Sequence, residues 1–345
     1  MPSAAVPPTS FYTDPTHLEL ERERVLWTHW VPVARAEDVA NPGDYVTFDH
    51  AGEPLVVVRG QDQKLRAFPN VCRHRLTTIM EGCGHASSLQ CPYHLWTYDL
   101  TGRLVGAPGM EDSPGFDRAD FGLPELALDS WGGFVFVHRD PRAAPLLDQL
   151  PQLEVTYPGA YLERLVRVGS TRCHSPWNWK VVVENFIESY HHAGTHPTHL
   201  QVPYPFQGTS EVDNHGEGWS SIEHAPSTDE LEPLAVTSVY PTHLFTINRP
   251  FGMFWFKLEI RAHDATDLDI QAFLTPELAE NEALAKEMMR LVEEVNAEDL
   301  IVNARTWRGL HSPSAKMGPL SRYEEGVRRF REWMDRALGG PDGAS

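Results

Sequence analysis

Residues 70–98 read NVCRHRLTTIMEGCGHASSLQCPYHLWTY. Cys72-x-His74 is followed, after sixteen residues, by Cys91-x-x-His94, so two short segments each offer one thiolate and one imidazole. Paired soft and borderline ligands at such spacing point to a metal centre. Common zinc fingers put both cysteines in one half and both histidines in the other, whereas here each half carries one of each. The arrangement fits a two-iron, two-sulfide cluster in which Cys72 and Cys91 hold one iron and His74 and His94 the other. Two ferric ions and two sulfides sum to +2, and two thiolates bring the oxidised cluster to zero. Four thiolates would leave it more negative and harder to reduce. Cys83-x-His85 repeats the first spacing but lies only five residues before Cys91, so we assign Cys83, with Cys173, as a bystander.

Working outward, Tyr45 to Asp49, Leu55 to Arg59 and Lys64 to Phe68 are short runs separated by Gly and Asp turns, the pattern of a small antiparallel sheet. Trp131 to His138 reads as a further strand. Residues 39–155 are therefore expected to form an all-β module that carries the ligands in its loops. Residues 1–38 precede it as a helical segment expected to pack on the domain of residues 156–345, with a helix expected from Asp14 to Trp30 through Leu18, Leu20, Val25 and Leu26.

Residues 156–345 have a different pattern. A helix is expected from Asn178 to Ala193, broken by Gly194 and Pro197. Phe245 and Ile247, then Phe254 through Ile260, then Leu268 through Leu274 place apolar residues at period two, an antiparallel sheet with one face buried. Pro276 to Trp307 reads as a long helix. A last helix is expected from Ser321, whose pairing with Glu324 has the form of a capping box, with Val327, Phe330, Met334 and Leu338 inside. Helices on one side of such a sheet make an α+β domain.

Glu184, Glu188 and His191 fall at i, i+4 and i+7 on the expected helix, and His196 follows just past its end. Trp177, Trp179, Val181 to Val183, Phe186, Ile187 and Tyr190 cover most of the circumference, so the helix is expected to be buried. Buried carboxylates and imidazoles are costly unless paired or bound to a cation. Two histidines need a third ligand to hold iron(II) on one side and leave positions open. Asp299 supplies one, because Met288, Leu291, Val295, Asp299 and Val302 share a helical face while Glu293, Glu294 and Glu298 point elsewhere. Asn185 either lines this site or makes a helix-packing hydrogen bond.

Of the 345 residues, 48 are acidic and 29 basic, a charge of −19 that repels phosphate backbones and excludes nucleic acid as the expected partner. No run approaches the roughly 20 apolar residues of a membrane span. Four cysteines are too few for a disulfide framework, and the opening residues lack a secretory pattern, which together predict a cytoplasmic protein. No Gly-rich nucleotide fingerprint is present, so oxidation of a nicotinamide cofactor is expected to lie on another chain.

The runs Asn70 to Arg75 and Cys91 to Tyr98, together with Asn185-x-x-Glu188-x-x-His191, His196 and Glu298-Asp299, resemble the Rieske non-heme iron oxygenases in their terminal (α) subunit, the ring-hydroxylating family. The chain departs at Leu76 and Leu95, where that family commonly has glycine. The resemblance implies a Rieske 2Fe-2S domain and a helix-grip, START-like catalytic domain with mononuclear Fe(II) on His191, His196 and Asp299. It also implies that Glu188 bridges an iron histidine and a cluster histidine of the next subunit in a homotrimer, with a separate NAD(P)H-dependent reductase and a possible ferredoxin. The implied activity is O2-dependent hydroxylation of a small aromatic or similar compound. The alternative is N-demethylation or monooxygenation of an amine or quaternary ammonium, toward which glutamate at position 188 leans. A Rieske electron carrier without oxygenase activity is the distant alternative.

Overall fold

The computed structural model describes residues 6–212 and 216–339. The chain forms two compact units, Trp27–Leu146 and, joined across that insertion, Met1–Leu26 with Leu147–Ser345. These boundaries differ from the expected breaks after residues 38 and 155. Val31–Arg35 is a strand paired antiparallel with Phe134–His138, and so belongs to the β unit.

In that unit, Glu53–Arg59 lies between Asp44–His50 and Leu65–Pro69, with Cys83–His85 at the edge. Its period-two pattern serves two cores. Val56 and Val58 face the core that contains Phe68, Leu89, Trp96, Tyr98, Cys72 and Cys91. Leu55 and Val57 face the other, with Phe48, Val31, Val33, Val135 and Val137. Leu89–Gln90, Thr97–Tyr98 and Leu104–Gly106 make a separate three-stranded sheet. The run from Trp131 to His138 is the corner of a hairpin rather than one strand. Gly132 and Gly133 have φ of 59° and 77°, and Phe134 pairs with Trp131, a turn whose positive φ angles suit glycine.

The other unit is built on a seven-stranded antiparallel sheet. Its order is Val166–Ser175, Ala265–Leu274, Gly252–Ala262, His243–Asn248, Leu234–Val239, Trp219–His224, Thr209–Glu211. Both faces are buried, where one was expected. Phe254, Phe256 and Leu268 line a cavity bounded by the long helix Glu282–Leu310, which Asn281 caps. Phe245 and Trp255 point the opposite way and are fully buried, with Tyr157 from the preceding short helices 5.6 Å from Phe245.

The N-terminal helix is in pieces, Ser10–Thr13, Pro15–Glu21 and a π-turn Arg22–Leu26, and ends before Trp30. It is pinned to the short helix Trp179–Phe186, whose first turn Asn178 caps. Glu21 and Lys180 form a fully buried ion pair, and Trp179 Nε1 donates to the second Glu21 oxygen at 2.8 Å. Burial pushes the Lys180 ammonium below its ordinary pKa against the pull of Glu21. Lys180→Ala is expected to cost about 3–5 kcal/mol by stranding the Glu21 carboxylate. Denaturant midpoints measure this, and recovery of most of the loss in Glu21→Leu/Lys180→Met separates the stranded charge from lost packing.

The last helix is Glu325–Leu338, starting later than expected. Glu324 does reach the Ser321 N–H at 2.6 Å, but this closes a turn ahead of the helix. Among the described residues no helix is long and apolar enough to cross a membrane.

Candidate functional site

The two cluster loops share one backbone design. Cys72 N–H donates to the Thr77 carbonyl and Leu76 N–H to the Cys72 carbonyl. Cys91 N–H donates to the Trp96 carbonyl and Leu95 N–H to the Cys91 carbonyl. Leu76 and Leu95 close these turns at φ of 60° and 61°, the left-handed region that glycine enters freely and a branched side chain enters only at a cost. Both leucines are exposed. The departures from the family's glycines therefore keep the turn geometry.

The paired loops bring the four expected ligands together. Cys72 and Cys91 are buried, and the His74 and His94 rings lie 4.6 Å apart at 71°. His74 stacks on Trp96 at 4.9 Å and 11°, and its Nδ1 is buried without a hydrogen-bond partner. Such a buried orphan nitrogen is rare unless a bound group satisfies it. Burial also pushes the Cys91 thiol above its ordinary pKa, so thiolate there needs a metal beside it. The donor set thus fits a two-iron cluster. Cys83 is exposed on a strand, and Cys173 lies 3.9 Å from Asn296 Oδ1, so neither joins it.

Tyr98 adds a contact that the spacing did not reveal. Its hydroxyl lies 3.5 Å from Cys72 Sγ and accepts the Arg73 N–H at 3.0 Å. Burial, followed by the neighbouring Cys72, raises its pKa well above that of an ordinary phenol, so it keeps a proton to donate to the sulfur, a contact that tunes cluster potentials.

In the larger unit, the expected helix over 178–193 stops at Phe186, and a second turn, His192–Thr195, follows. Glu184, Glu188 and His191 are consequently not one stripe. Glu184 is bound by Arg331 at 2.9 and 2.7 Å and by the Tyr12 hydroxyl. The irregular segment instead turns His191 and His196 toward Asp299 on the long helix. His196 Nε2 is 3.0 Å and His191 Nε2 3.6 Å from Asp299 Oδ1, and one donor atom from each residue falls within a 4.8 Å group.

Each imidazole is held from behind. His191 Nδ1 donates to Glu188 Oε1 at 2.5 Å, and His196 Nδ1 to Glu298 Oε2 at 2.7 Å. A carboxylate on Nδ1 fixes the tautomer that leaves Nε2 as a metal donor. Asn185 donates to Asp299 Oδ1 at 2.9 Å, which places it inside the site. Burial opposes charge on His196, but Asp299 and Glu298 outweigh it and raise its pKa. The site is built around a positive charge, and three convergent donors with two supporting carboxylates fit a divalent metal.

Glu298 was expected to point elsewhere and does not. His196 lies beyond the helix end, so its ring reaches a helix position that periodicity assigns to another face. Glu298 also binds His199 at 3.0 Å, and Glu294 binds the other His199 nitrogen at 3.2 Å. The signal available in the sequence was the i, i+4 acidic pair with His196-x-x-His199. Glu298→Gln is expected to weaken metal affinity about 10–100-fold, read as faster loss of the mononuclear metal to a chelator; an unchanged rate would assign Glu298 to packing alone.

Residues 29–125 match the Rieske [2Fe-2S] domain, and residues 162–256 and 228–340 match the ring hydroxylating alpha subunit catalytic domain. The chain is 40% identical over 195 residues to the carnitine monooxygenase oxygenase subunit of Escherichia coli (strain K12), covering 55% of this chain and 52% of that one. It is 33% identical over 205 residues to the glycine betaine monooxygenase oxygenase subunit of Chromohalobacter salexigens, covering 59% and 46%. The matched stretches thus span about half the length of these curated relatives. Among solved structures, the quaternary ammonium Rieske monooxygenase CntA in complex with an inhibitor superposes with a TM-score of 0.86 at 26% identity, covering 96% of this chain and 94% of that one. The matched domains bring with them a 2Fe-2S cluster and a mononuclear iron. With a Rieske domain ahead of a catalytic-domain match at residues 162–340 that spans about half of the chain, the chain belongs to the ring-hydroxylating α-subunit family.

Proposed function

We propose that the chain is a terminal oxygenase that inserts oxygen into a methyl group of an amine or quaternary ammonium compound, with electrons from a separate NAD(P)H-dependent reductase. The observation that carries this reading is that His191, His196 and Asp299 line a cavity of about 530 Å3 whose wall includes the rings of Phe186 and Phe256, 4.8 Å apart at 58°, and Phe254. Aromatic faces attract methylammonium groups. The activities named for the carnitine and glycine betaine relatives support this reading over hydroxylation of an aromatic ring.

Iron held by His191, His196 and Asp299 would activate oxygen, and a cluster on Cys72, His74, Cys91 and His94 would store the electrons that it needs. The chain's own residues do the rest. Glu188 and Glu298 hold the Nδ1 protons of the two imidazoles, Asn185 orients Asp299, and the apolar wall keeps water from the reacting methyl. Overall, O2, two electrons and two protons convert one N-methyl to N-hydroxymethyl and water. The hydroxymethyl then leaves as formaldehyde, its hydroxyl proton is released and the C–N pair returns to nitrogen.

Glu188 is also the residue through which a cluster of one subunit would reach the iron site of the next in a homotrimer. The reported inter-subunit electron transfer in CntA supports this arrangement. A cytoplasmic setting suits the free thiols of Cys83 and Cys173.

The test is turnover with a surrogate reductase on trimethylammonium and on aromatic substrates. Formaldehyde from the former supports the reading. Phenols or dihydrodiols from the latter, with no formaldehyde, would replace it.

A further inference from the structure

Given an N-methyl ammonium substrate, a step that rests on the reading above, the wall of the same cavity specifies the rest of the molecule. Its volume of about 530 Å3 is in the range that accepts a drug-sized ligand and exceeds what a trimethylammonium head fills. Apart from the iron, the charged side chains of the wall have one sign. Its acidic side chains are Glu188, Glu287 and Asp299, and no lysine or arginine is among its lining residues. His192 and His224, also in the wall, are buried and already engaged, His192 Nδ1 with the Tyr204 carbonyl at 3.2 Å and His224 Nδ1 with the Thr209 hydroxyl at 2.9 Å. Arg290, beside the rim on the long helix, is held by Glu287 and Glu294 at 2.9 and 2.6 Å.

Two amide donors of the wall are engaged as well. Asn185 donates to Asp299, and Asn248 donates to the Tyr204 hydroxyl and to the Glu232 and Pro233 carbonyls. Away from the iron site, a substrate carboxylate would lose its water with no lysine or arginine in the lining to receive it, which is costly. An apolar stretch of the wall is formed by Leu234, Val236 and Met253 from the sheet and Met288, Leu291 and Val295 from the long helix.

We infer that the substrate is an N-methyl ammonium compound bearing an extended apolar group and no carboxylate, its head against Phe186 and Phe256 and its tail along the aliphatic wall. This separates the chain from an enzyme built for a zwitterionic amino acid derivative.

Two probes of equal chain length test it on the anaerobic, iron-loaded full chain: hexyltrimethylammonium, and the same cation ending in a carboxylate. Calorimetric titration is expected to give a Kd at least about tenfold lower for the alkyl probe. Equal or tighter binding of the acid overturns the inference. Leu231→Lys places a cation at an exposed position of the lining, and is expected to tighten the acid about tenfold at unchanged melting temperature. No tightening contradicts the role given to the missing cation. Formaldehyde is scored in parallel with reductase and O2. Preferential binding of the alkyl probe without formaldehyde contradicts the demethylation reading while upholding the pocket preference, so the two failures are distinct.

Discussion

Asp299→Ala is expected to yield a folded, coloured protein that has lost about one iron per chain, keeps about two irons and two sulfides, and has no measurable oxygenase activity. Asp299 provides the only carboxylate in the three-residue donor group, and its Oδ1 is the point on which His191 and His196 converge. Without it the two imidazoles are neutral donors facing a cavity, too few to hold a divalent ion against water. The cluster ligands belong to the other compact unit of the chain, so their loops should be untouched. Metal analysis beside the visible spectrum measures this. Full iron occupancy in the variant would move the third ligand elsewhere.

Glu188→Gln is expected to keep both metal centres and lose about 100-fold in coupled turnover. Glu188 touches His191 at Nδ1, not at the metal-facing Nε2, and its other oxygen accepts the His191 N–H at 3.2 Å. A glutamine can still accept from the imidazole, so the ring should stay in place. It carries no negative charge, and so cannot make the imidazole more electron-rich or link it through a charged bridge to a cluster histidine of a neighbouring subunit. The ratio of product formed to oxygen consumed, and the rate at which a reduced cluster reoxidises with substrate present, separate a relay from a purely structural contact. Normal values of both would refute the relay.

The parts of this account legible in the sequence were those written in contiguous residues. Cys72, His74, Cys91 and His94 sit in two short runs, and ligand chemistry restricts the reading of such runs sharply. Asp299 was legible because an acid on an apolar helical stripe conflicts with the pattern around it. What escaped depended on contacts distant in sequence. Val31–Arg35 becomes a strand only through pairing about a hundred residues away, Val31 opposite Val137, and no local signal carries that.

The helix expected to reach Ala193 stops at Phe186 although no glycine or proline stands there. The site itself accounts for this: His191 and His196 could not both face Asp299 from one continuous helix, so local propensity yields to the metal geometry. Glu298 was misassigned for the related reason that helical periodicity describes packing faces and not what a neighbouring loop can reach. Asn185, left between two roles, performs the polar one through Asp299.

The central claim is that one chain holds two different iron centres. Iron, acid-labile sulfide and zinc content of anaerobically purified protein, read with the reduced-state electron paramagnetic resonance spectrum, tests it most directly. About three irons and two sulfides per chain with a Rieske signal are predicted from a cluster of two irons and a separate mononuclear site. Only two irons with two sulfides, or zinc in place of the third iron, would contradict the oxygenase account at its catalytic centre.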